Sequence, residues 1–452
     1  LSEGAAMKVL ILGGNAAGMS AAGRLRRKAP DTEVIVIEKS GEVSYGACGL
    51  PYFVGGVNDD LDLMRIRKAE QFRSQGIDLR LHESAVRIDY ERHCVQISRA
   101  DTQYEETYDK LLIATGSTPM RPGVLGTDLK NVFVLKTLKD GEKVKAAVCN
   151  PAMDVVAIIG GGYIGLELAE ACLRQKKRVL LIEALPHLLN GFSETFGEAA
   201  RDELVAHGVQ VHTGEAVTGL AQTETGGLRI TTAGGAYEAD AVVVAAGVRP
   251  NTAFLGETGP ECLRNGAVIT NLAMETSVPD VYAAGDCATV VHRILQTPAY
   301  LPLGTNANKQ GRFAADSILG KVNGAYGGAL GTAMLRCVTL ELAKTGITEK
   351  EAAAAGMNAA SILVSAPSHA PYYTDPAPVE VKILLTFERE SGRILGAEVM
   401  GRGESAIRID VFASAITAGM TVGEIGAMDL GYAPPFASVW DAIQIAANAA
   451  KV

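Results

Sequence analysis

The sequence has no apolar run that could cross a membrane, because no stretch approaches the roughly 20 apolar residues that a spanning helix needs. Residues 9–12 form an apolar segment that runs straight into glycines and is too short for the core of a signal peptide. We therefore expect neither a membrane span nor a secretory leader.

Paired cysteines are also lacking. The seven cysteines are widely spaced, with no CxxC pair and no cysteine–histidine cluster at metal-site spacing. An odd, scattered set argues against a disulfide scaffold and against a zinc site. We expect a protein of the reducing cytoplasm with no bound metal.

Positive charge is in deficit, with 42 lysines and arginines against 51 aspartates and glutamates, a net charge of −9. That balance argues against nucleic acid or an anionic membrane as the main partner. The 48% apolar and 21% charged residues exclude wholesale disorder, and 452 residues suggest two to four domains.

Glycine, by contrast, is plentiful: 50 residues, or about 11%, against the usual ~7%. Two glycine-rich segments, residues 9–18 and 155–165, resemble each other. In each, an apolar strand runs into glycines, then a helix, then a second strand that ends in Glu38 or Glu183. This order is a βαβ unit with parallel strands.

Such a unit is suited to a dinucleotide. Its glycines permit a tight turn, close approach of a pyrophosphate and close helix packing, while the helix N-terminus faces the phosphates. An acid about 20 residues later binds ribose hydroxyls. Glu38 follows Gly18 by 20 residues and Glu183 follows Gly165 by 18. Two units predict two dinucleotides; the alternative is that one is an empty α/β crossover.

One position departs from this pattern. Asn15 occupies the second glycine position of the first loop. A side chain there should crowd a pyrophosphate unless it points elsewhere.

Further landmarks follow the two units. Residues 108–117 and 241–250 are apolar strands closed by small residues, and residues 276–286 form a strand that ends in Asp286. That aspartate could bind a polyol hydroxyl or merely cap a helix. From about residue 329 the sequence pattern changes and predicts a hairpin and two helices, which would form a separate α+β domain.

In this order the landmarks resemble the pyridine nucleotide-disulfide oxidoreductases. The resemblance implies two Rossmann-like domains, for FAD and NAD(P)H, and a C-terminal α+β dimerisation domain. It implies Asp286 at the FAD ribityl chain. The predicted domains are residues 7–118 with 251–325 for FAD, 119–250 for NAD(P)H and 329–452 for dimerisation.

The active-site segment decides the branch. Many disulfide reductases of this family carry a second cysteine five positions on, where this chain has Phe53 after Cys48. The single cysteine in Cys-Gly-Leu-Pro-Tyr, residues 48–52, resembles coenzyme A-disulfide reductases and NADH-dependent persulfide reductases. Residues 369–373 and 432–436 resemble that branch too. Ala47 stands where coenzyme A-disulfide reductases have a substrate-contacting asparagine, so we expect coenzyme A to be held less specifically.

The residues themselves also indicate Cys48 as the nucleophile. It opens a predicted helix after a glycine-containing turn, and a helix N-terminus lowers the pKa of a thiol. Pro51 fits the first turn of that helix. For the other six cysteines we expect the commoner role of small hydrophobic residues.

The resemblance implies specific site residues. Those expected to act in catalysis are Cys48, Tyr432 and Tyr372. Those expected at FAD are Gly13, Ala16, Ala17, Gly18, Glu38, Lys39, Cys48, Val86, Ala114, Thr115, Gly116, Asp286, Thr305, Tyr432 and Phe436. Those expected at NADH are Gly160, Gly162, Tyr163, Ile164, Gly165, Glu167, Glu183 and Gly247. Those expected at the substrate, with coenzyme A as a candidate ligand, are Ser44, Arg24 and Arg27.

The predicted function is an FAD-dependent NADH oxidoreductase that reduces a disulfide, persulfide or polysulfide, acting as a homodimer. Glu183 favours NADH over NADPH, because a carboxylate repels a 2′-phosphate. The alternatives are an NADH oxidase or peroxidase that cycles a cysteine sulfenate, and a flavoprotein redox sensor. The peroxidase branch has a histidine in the first glycine loop, where this chain has Ala16.

Overall fold

The structure, a computed structural model, describes residues 6–321 and 326–451. Within those ranges no helix is both long and apolar enough to cross a membrane. Two parallel sheets and one antiparallel sheet, each of five strands, organise the chain.

The first sheet is parallel and is buried on both faces, which is why its strands are continuous apolar runs. Its strands, in spatial order, are Val281–Ala283, Lys110–Ile113, Lys8–Leu12, Glu33–Glu38 and Asp78–Leu81. It therefore draws strands from both ranges predicted for the discontinuous first domain. The predicted boundary at residue 325 lies outside the described residues, and the domain boundaries stay predictions.

Two helices pack together over this sheet. They are Ala16–Lys28, which follows the first glycine loop, and Gly304–Ile318. Their approach is close, since a Cβ at Gly311 would lie 2.1 Å from the Ala17 carbonyl oxygen.

The second parallel sheet repeats the first. Its strands, in spatial order, are Gln210–His212, Arg178–Ile182, Val155–Ile159, Ala241–Val244 and Val132–Val134. Its helices are Leu138–Val148, Tyr163–Arg174 and Glu194–Ala206.

Small antiparallel sheets accompany both units. The three-stranded sheets are Glu83–Asp89, Cys94–Arg99 and Thr102–Thr107, and Val217–Gln222, Leu228–Thr232 and Ala236–Ala239. The two-stranded sheets are Ser117–Pro119 with Val248–Pro250, and Val290–Val291 with Pro298–Ala299. Pairing of residues 117–119 with 248–250 brings together the chain leaving the first unit and the chain returning to it.

The C-terminal sheet is antiparallel. Its strands, in spatial order, are Ala333–Cys337, Leu340–Gly346, Ile394–Gly401, Glu380–Glu388 and Ala359–Pro367. The predicted hairpin is confirmed in the pairing of its third and fourth strands. Its helices are Glu349–Ala354, Ile409–Ala418, Val422–Gly426 and Ala442–Ala449. The predicted fold class, two Rossmann-like units and a C-terminal α+β unit, is confirmed.

The remaining helical segments are short. They are the α-helices Leu50–Val54 and Ala69–Arg73, and the 3₁₀ turns Ala47–Gly49, Leu61–Met64, Ala253–Leu255 and Ser405–Arg408.

Candidate active site

The first glycine loop has the backbone that its sequence predicts. Gly13 has φ +115°, and a Cβ there would lie 2.2 Å from the Ala114 carbonyl oxygen. A Cβ at Gly18 would lie 1.9 Å from the Gly13 carbonyl oxygen. Any side chain at either position would push strand, loop and helix apart, so this loop requires glycine. Ala16 and Ala17 begin the helix that follows.

The second loop has the same geometry. Gly160 has φ +114°, and a Cβ there would lie 2.5 Å from the Ala245 carbonyl oxygen. A Cβ at Gly165 would lie 1.9 Å from the Gly160 carbonyl oxygen, whereas the space beside Gly162 is open. Tyr163 and Ile164 begin the helix that follows.

Each strand-end acid folds back onto its own loop. The Gly14 N–H donates to Oε2 of Glu38 (2.7 Å), and the Gly161 N–H donates to Oε2 of Glu183 (2.5 Å). The second oxygens accept from backbone N–H groups two residues on, at Ser40 (2.7 Å) and Leu185 (2.8 Å). Both carboxylates are thus fixed beside the glycine turn, where the repeat places a ribose.

A cavity of about 660 Å³ opens beside the first loop. Both sequence ranges predicted for the first domain line it, with Gly13, Glu38 and Ala85 from residues 7–118 and Asn251 and Phe254 from residues 251–325. Val86 is 42% exposed and adjoins the lining residue Ala85. The cavity therefore adjoins both the Glu38 carboxylate and the first glycine loop.

Asn15 does not interrupt this arrangement. Its Oδ1 accepts a hydrogen bond from the Tyr45 N–H (3.1 Å), so the side chain is engaged by the loop that carries Cys48. The departure from glycine therefore links the glycine loop to the cysteine segment.

Asp286 anchors a polar group that joins the two units. Its Oδ2 accepts from Lys136 Nζ (2.8 Å) and from Ser117 Oγ (3.0 Å). The sequence reasoning missed Lys136. Its position could have indicated it: Lys136 lies two residues beyond the strand Val132–Val134 and immediately before Thr137, which caps the next helix.

Cys48 lies in the 3₁₀ turn Ala47–Gly49 and its side chain is exposed. The expectation of a lowered thiol pKa is wrong for this chain. The pKa of Cys48 is raised, first by the surrounding protein atoms and next by the negative charge of Glu167, while Lys136 opposes the rise. The cysteine precedes a helix of only five residues, Leu50–Val54, which offers a weak dipole.

Glu167 is an acidic group of the second unit that acts on Cys48. Its Oε1 accepts from the Tyr52 hydroxyl at 3.4 Å. Burial, with a further contribution from the charge of Glu170, raises the pKa of Glu167 to about 7. One helical turn earlier, the Tyr163 ring packs 6.1 Å from that of Phe192. A carboxyl that titrates near neutrality thus acts electrostatically on the thiol.

The two arginines expected at the substrate have different surroundings. Arg24 makes a two-bond ion pair with Asp316, at 2.8 and 2.5 Å, and Lys28 contacts the same carboxylate at 3.1 Å. Arg27, in contrast, is exposed. The Arg24 guanidinium is thus engaged by Asp316 through Nε and Nη2, and its role as a phosphate ligand stays a prediction. Ser44 is half-buried, with φ +48° in the loop before Cys48.

The C-terminal aromatic residues form an exposed group. Tyr372 and Tyr432 are hydrogen-bonded through their hydroxyls and are 70% and 46% exposed, and Phe436 is 77% exposed. Thr305 is exposed in the first turn of Gly304–Ile318, and Gly247 has φ +97° after the strand Ala241–Val244.

Family models match nearly the whole chain. The model described as pyridine nucleotide-disulphide oxidoreductase matches residues 7–311, and the dimerisation domain of the same family matches residues 334–443.

Curated relatives match at full length. The CoA-dependent NAD(P)H sulfur oxidoreductase of Pyrococcus abyssi is 35% identical over 98% of each chain. The NAD(P)H coenzyme A polysulfide/persulfide reductase of Pyrococcus horikoshii is 34% identical over 100% of each chain. An NADH oxidase of Lactococcus lactis is 31% identical over 98% of this chain and 100% of its own.

Solved structures of the same kind superpose closely. The NAD-dependent persulfide reductase from A. fulgidus has a TM-score of 0.93 at 33% identity, covering 98% of this chain and 82% of its own. The reduced CoADR-RHD of Bacillus anthracis has a TM-score of 0.94 at 31% identity, covering 98% of this chain and 80% of its own.

Proposed function

Since this chain belongs to the pyridine nucleotide-disulphide oxidoreductase family, we propose that it uses NADH and FAD to reduce a disulfide, persulfide or polysulfide at Cys48. The observation that carries the proposal is the setting of Cys48. Its thiol is exposed and is influenced by Lys136 and Glu167 of the second dinucleotide unit, and Phe53 stands where a second active-site cysteine would be.

Both cofactors fit the residues present. In each glycine loop, a Cβ on either of two glycines would collide with backbone atoms, so the loop keeps the tight turn that a dinucleotide needs. Each loop also has a carboxylate fixed beside it. We assign FAD to the Glu38 unit, with Asp286 and Lys136 toward the ribityl chain, and NADH to the Glu183 unit. When bound, FAD supplies the two-electron relay between the nicotinamide and sulfur.

Cys48 performs the sulfur chemistry. Its thiolate attacks one sulfur of the substrate, the sulfur–sulfur bond breaks, and the other half leaves as a thiolate while a mixed disulfide forms on Cys48. Two electrons from NADH then cleave that mixed disulfide, which restores the Cys48 thiolate. Lys136 stabilises the thiolate by its positive charge. Each released thiolate takes up one proton, so the site needs groups that hold protons near neutral pH.

The names of the relatives and the positions of Arg24, Arg27 and Ala47 support a substrate class. The Pyrococcus relatives are named as coenzyme A-dependent sulfur and persulfide reductases. Arg27 is exposed and could meet a phosphate, whereas Ala47 offers no side-chain amide and Arg24 is engaged by Asp316. We propose a coenzyme A-type persulfide, polysulfide or disulfide, bound with less selectivity for coenzyme A than in a dedicated coenzyme A-disulfide reductase.

We further propose a cytoplasmic homodimer. The dimerisation domain carries Tyr372, Tyr432 and Phe436 on an exposed face, which supports their placement near Cys48 of the second subunit. The scattered cysteines, without a CxxC pair, are suited to a reducing compartment.

The test is anaerobic turnover of the FAD-loaded enzyme with NADH and each sulfur substrate, compared with peroxide and oxygen. We expect rapid sulfur reduction. Cys48→Ser should still bleach its flavin with NADH but lose sulfur reduction by orders of magnitude, whereas Cys149→Ser, at another exposed cysteine, should be unaffected. Rapid turnover with peroxide or oxygen but not sulfur would instead support an oxidase, and turnover with none of them a redox sensor.

A further inference from the structure

A short segment of the second unit, residues 187–193, lies against its glycine loop. The Leu189 N–H donates to the Gly161 carbonyl oxygen at 2.9 Å, and the Leu188 side chain lies where a Gly161 Cβ would be, 2.5 Å away. Phe192 is 4% exposed, and its ring meets that of Tyr163 at an angle of 58°. The position of Tyr163 therefore depends on how this segment is held.

The C-terminal domain holds the segment through two charged side chains. Glu398, on the strand Ile394–Gly401, accepts from the Ser193 N–H (2.8 Å) and from its hydroxyl (2.5 Å). Lys344, on the adjacent strand, donates to the Gly191 carbonyl oxygen, and its ammonium lies 5.8 Å from the Phe192 ring centroid. Both charged residues are buried, Glu398 at 4% and Lys344 at 9% exposure.

The contact between Ser193 and Glu398 stabilises a buried carboxylate at the end of a helix. Ser193 is the N-cap of the helix Glu194–Ala206, yet its hydroxyl bonds Glu398 instead of a helix N–H. The carboxylate thus stands at the helix N-terminus, where the helix dipole favours it. A buried carboxylate without such partners would be strongly unfavourable, so the Ser193–Glu398 contact is a fixed point between the two domains.

We infer that Glu398 and Lys344 are positioning residues for the nicotinamide site, because they hold residues 191–193 so that Phe192 fixes the Tyr163 ring. The inference rests on the proposed assignment of NADH to this unit. It makes the C-terminal domain a structural part of hydride transfer as well as of dimerisation.

The experiment measures NAD⁺ affinity by calorimetry and amide hydrogen exchange of residues 187–193 in the FAD-loaded dimer. The variants are Glu398→Gln and Ser193→Ala, each made alone and in a Tyr163→Ala background. Glu380→Gln, an exposed carboxylate of the same sheet, is the matched control. We expect each single variant to weaken NAD⁺ binding about tenfold and to speed exchange, with no further loss of affinity in the Tyr163→Ala background. Sulfur reduction from dithionite-reduced enzyme should be unchanged.

Unchanged NAD⁺ affinity in both single variants, or losses that add to that of Tyr163→Ala, would overturn the inference. If Glu398→Gln fails to fold, Lys344→Met replaces it, and a loss of affinity that only follows the unfolded fraction likewise overturns it. The proposed function fails separately, if NADH does not bleach the flavin of the unaltered enzyme.

Discussion

Replacing Glu167 by glutamine should change the reactivity of Cys48 in a pH-dependent manner. The charge of Glu167 opposes ionisation of the Cys48 thiol, second only to desolvation by the surrounding protein atoms. The pKa of Glu167 is itself raised by burial to about 7. Glutamine keeps the size of the side chain and can still accept from the Tyr52 hydroxyl, but it carries no charge at any pH.

The magnitude follows from this pKa. With a pKa of about 7, Glu167 is about one-tenth ionised at pH 6 and about nine-tenths ionised at pH 8. The opposing charge is therefore nearly absent from the unaltered enzyme at pH 6 and nearly complete at pH 8. The ratio of the thiolate population in Glu167→Gln to that in the unaltered enzyme should therefore be about one at pH 6 and above one at pH 8.

The assay is alkylation of Cys48 by uncharged iodoacetamide in the FAD-loaded enzyme between pH 6 and pH 8.5. Quantifying the Cys48 peptide by mass spectrometry separates it from the exposed Cys149 and Cys262. Lys136→Met is the control of opposite sign and should slow alkylation, because Lys136 favours the thiolate. A Glu167→Gln ratio that stays the same from pH 6 to pH 8, or falls below one, would refute the reasoning.

Four further substitutions separate the roles assigned above. Glu183→Gln should narrow the preference for NADH over NADPH, measured as kcat/KM for each; comparable values in the unaltered enzyme would contradict the assignment. Arg24→Ala should lower the unfolding free energy by about 1–3 kcal/mol, because it removes a partner of the buried Asp316. Arg27→Ala should leave thermal unfolding unchanged. It should raise KM for coenzyme A persulfide but not for inorganic polysulfide. Tyr432→Phe should slow sulfur reduction about tenfold while leaving flavin bleaching by NADH unchanged, and an unaltered sulfur rate would exclude the hydroxyl from the reaction.

The repeated units could be predicted because their signals are local. A buried strand, a glycine loop, a helix and a strand-end acid fall within about 30 residues of sequence, the span of one βαβ unit. The structure adds that Glu38 and Glu183 use corresponding N–H groups, those of Gly14 and Gly161, to reach their loops.

The errors and omissions concern contacts between distant parts of the chain. Asp316 engages Arg24 from 292 residues away, and Lys136 meets Asp286 across 150 residues. The sequence predicts the pKa of Cys48 from its own helix, but the surrounding atoms and a carboxylate of the second unit decide the direction of its shift. No local pattern carries these pairings, since they depend on how the units pack.

The difference between local patterns and long-range contacts also bears on which reaction the fold performs. The two βαβ units are nearly equivalent in backbone, and relatives named as sulfur reductases or as NADH oxidases share this architecture, so the fold alone does not choose the reaction. Each glycine loop is contacted alike, since the Ser44 N–H donates to the Gly14 carbonyl oxygen (3.1 Å) and the Leu189 N–H donates to that of Gly161 (2.9 Å). The units differ in the contacts that hold these segments. In the first, Asn15 holds Tyr45, three residues before Cys48; in the second, residues 187–193 lie on the loop and are held by Glu398 and Lys344. On the assignments proposed above, contacts that the repeat does not share position the reacting sulfur and the nicotinamide, and exchanging those contacts between relatives should alter the reaction more than exchanging the glycine loops.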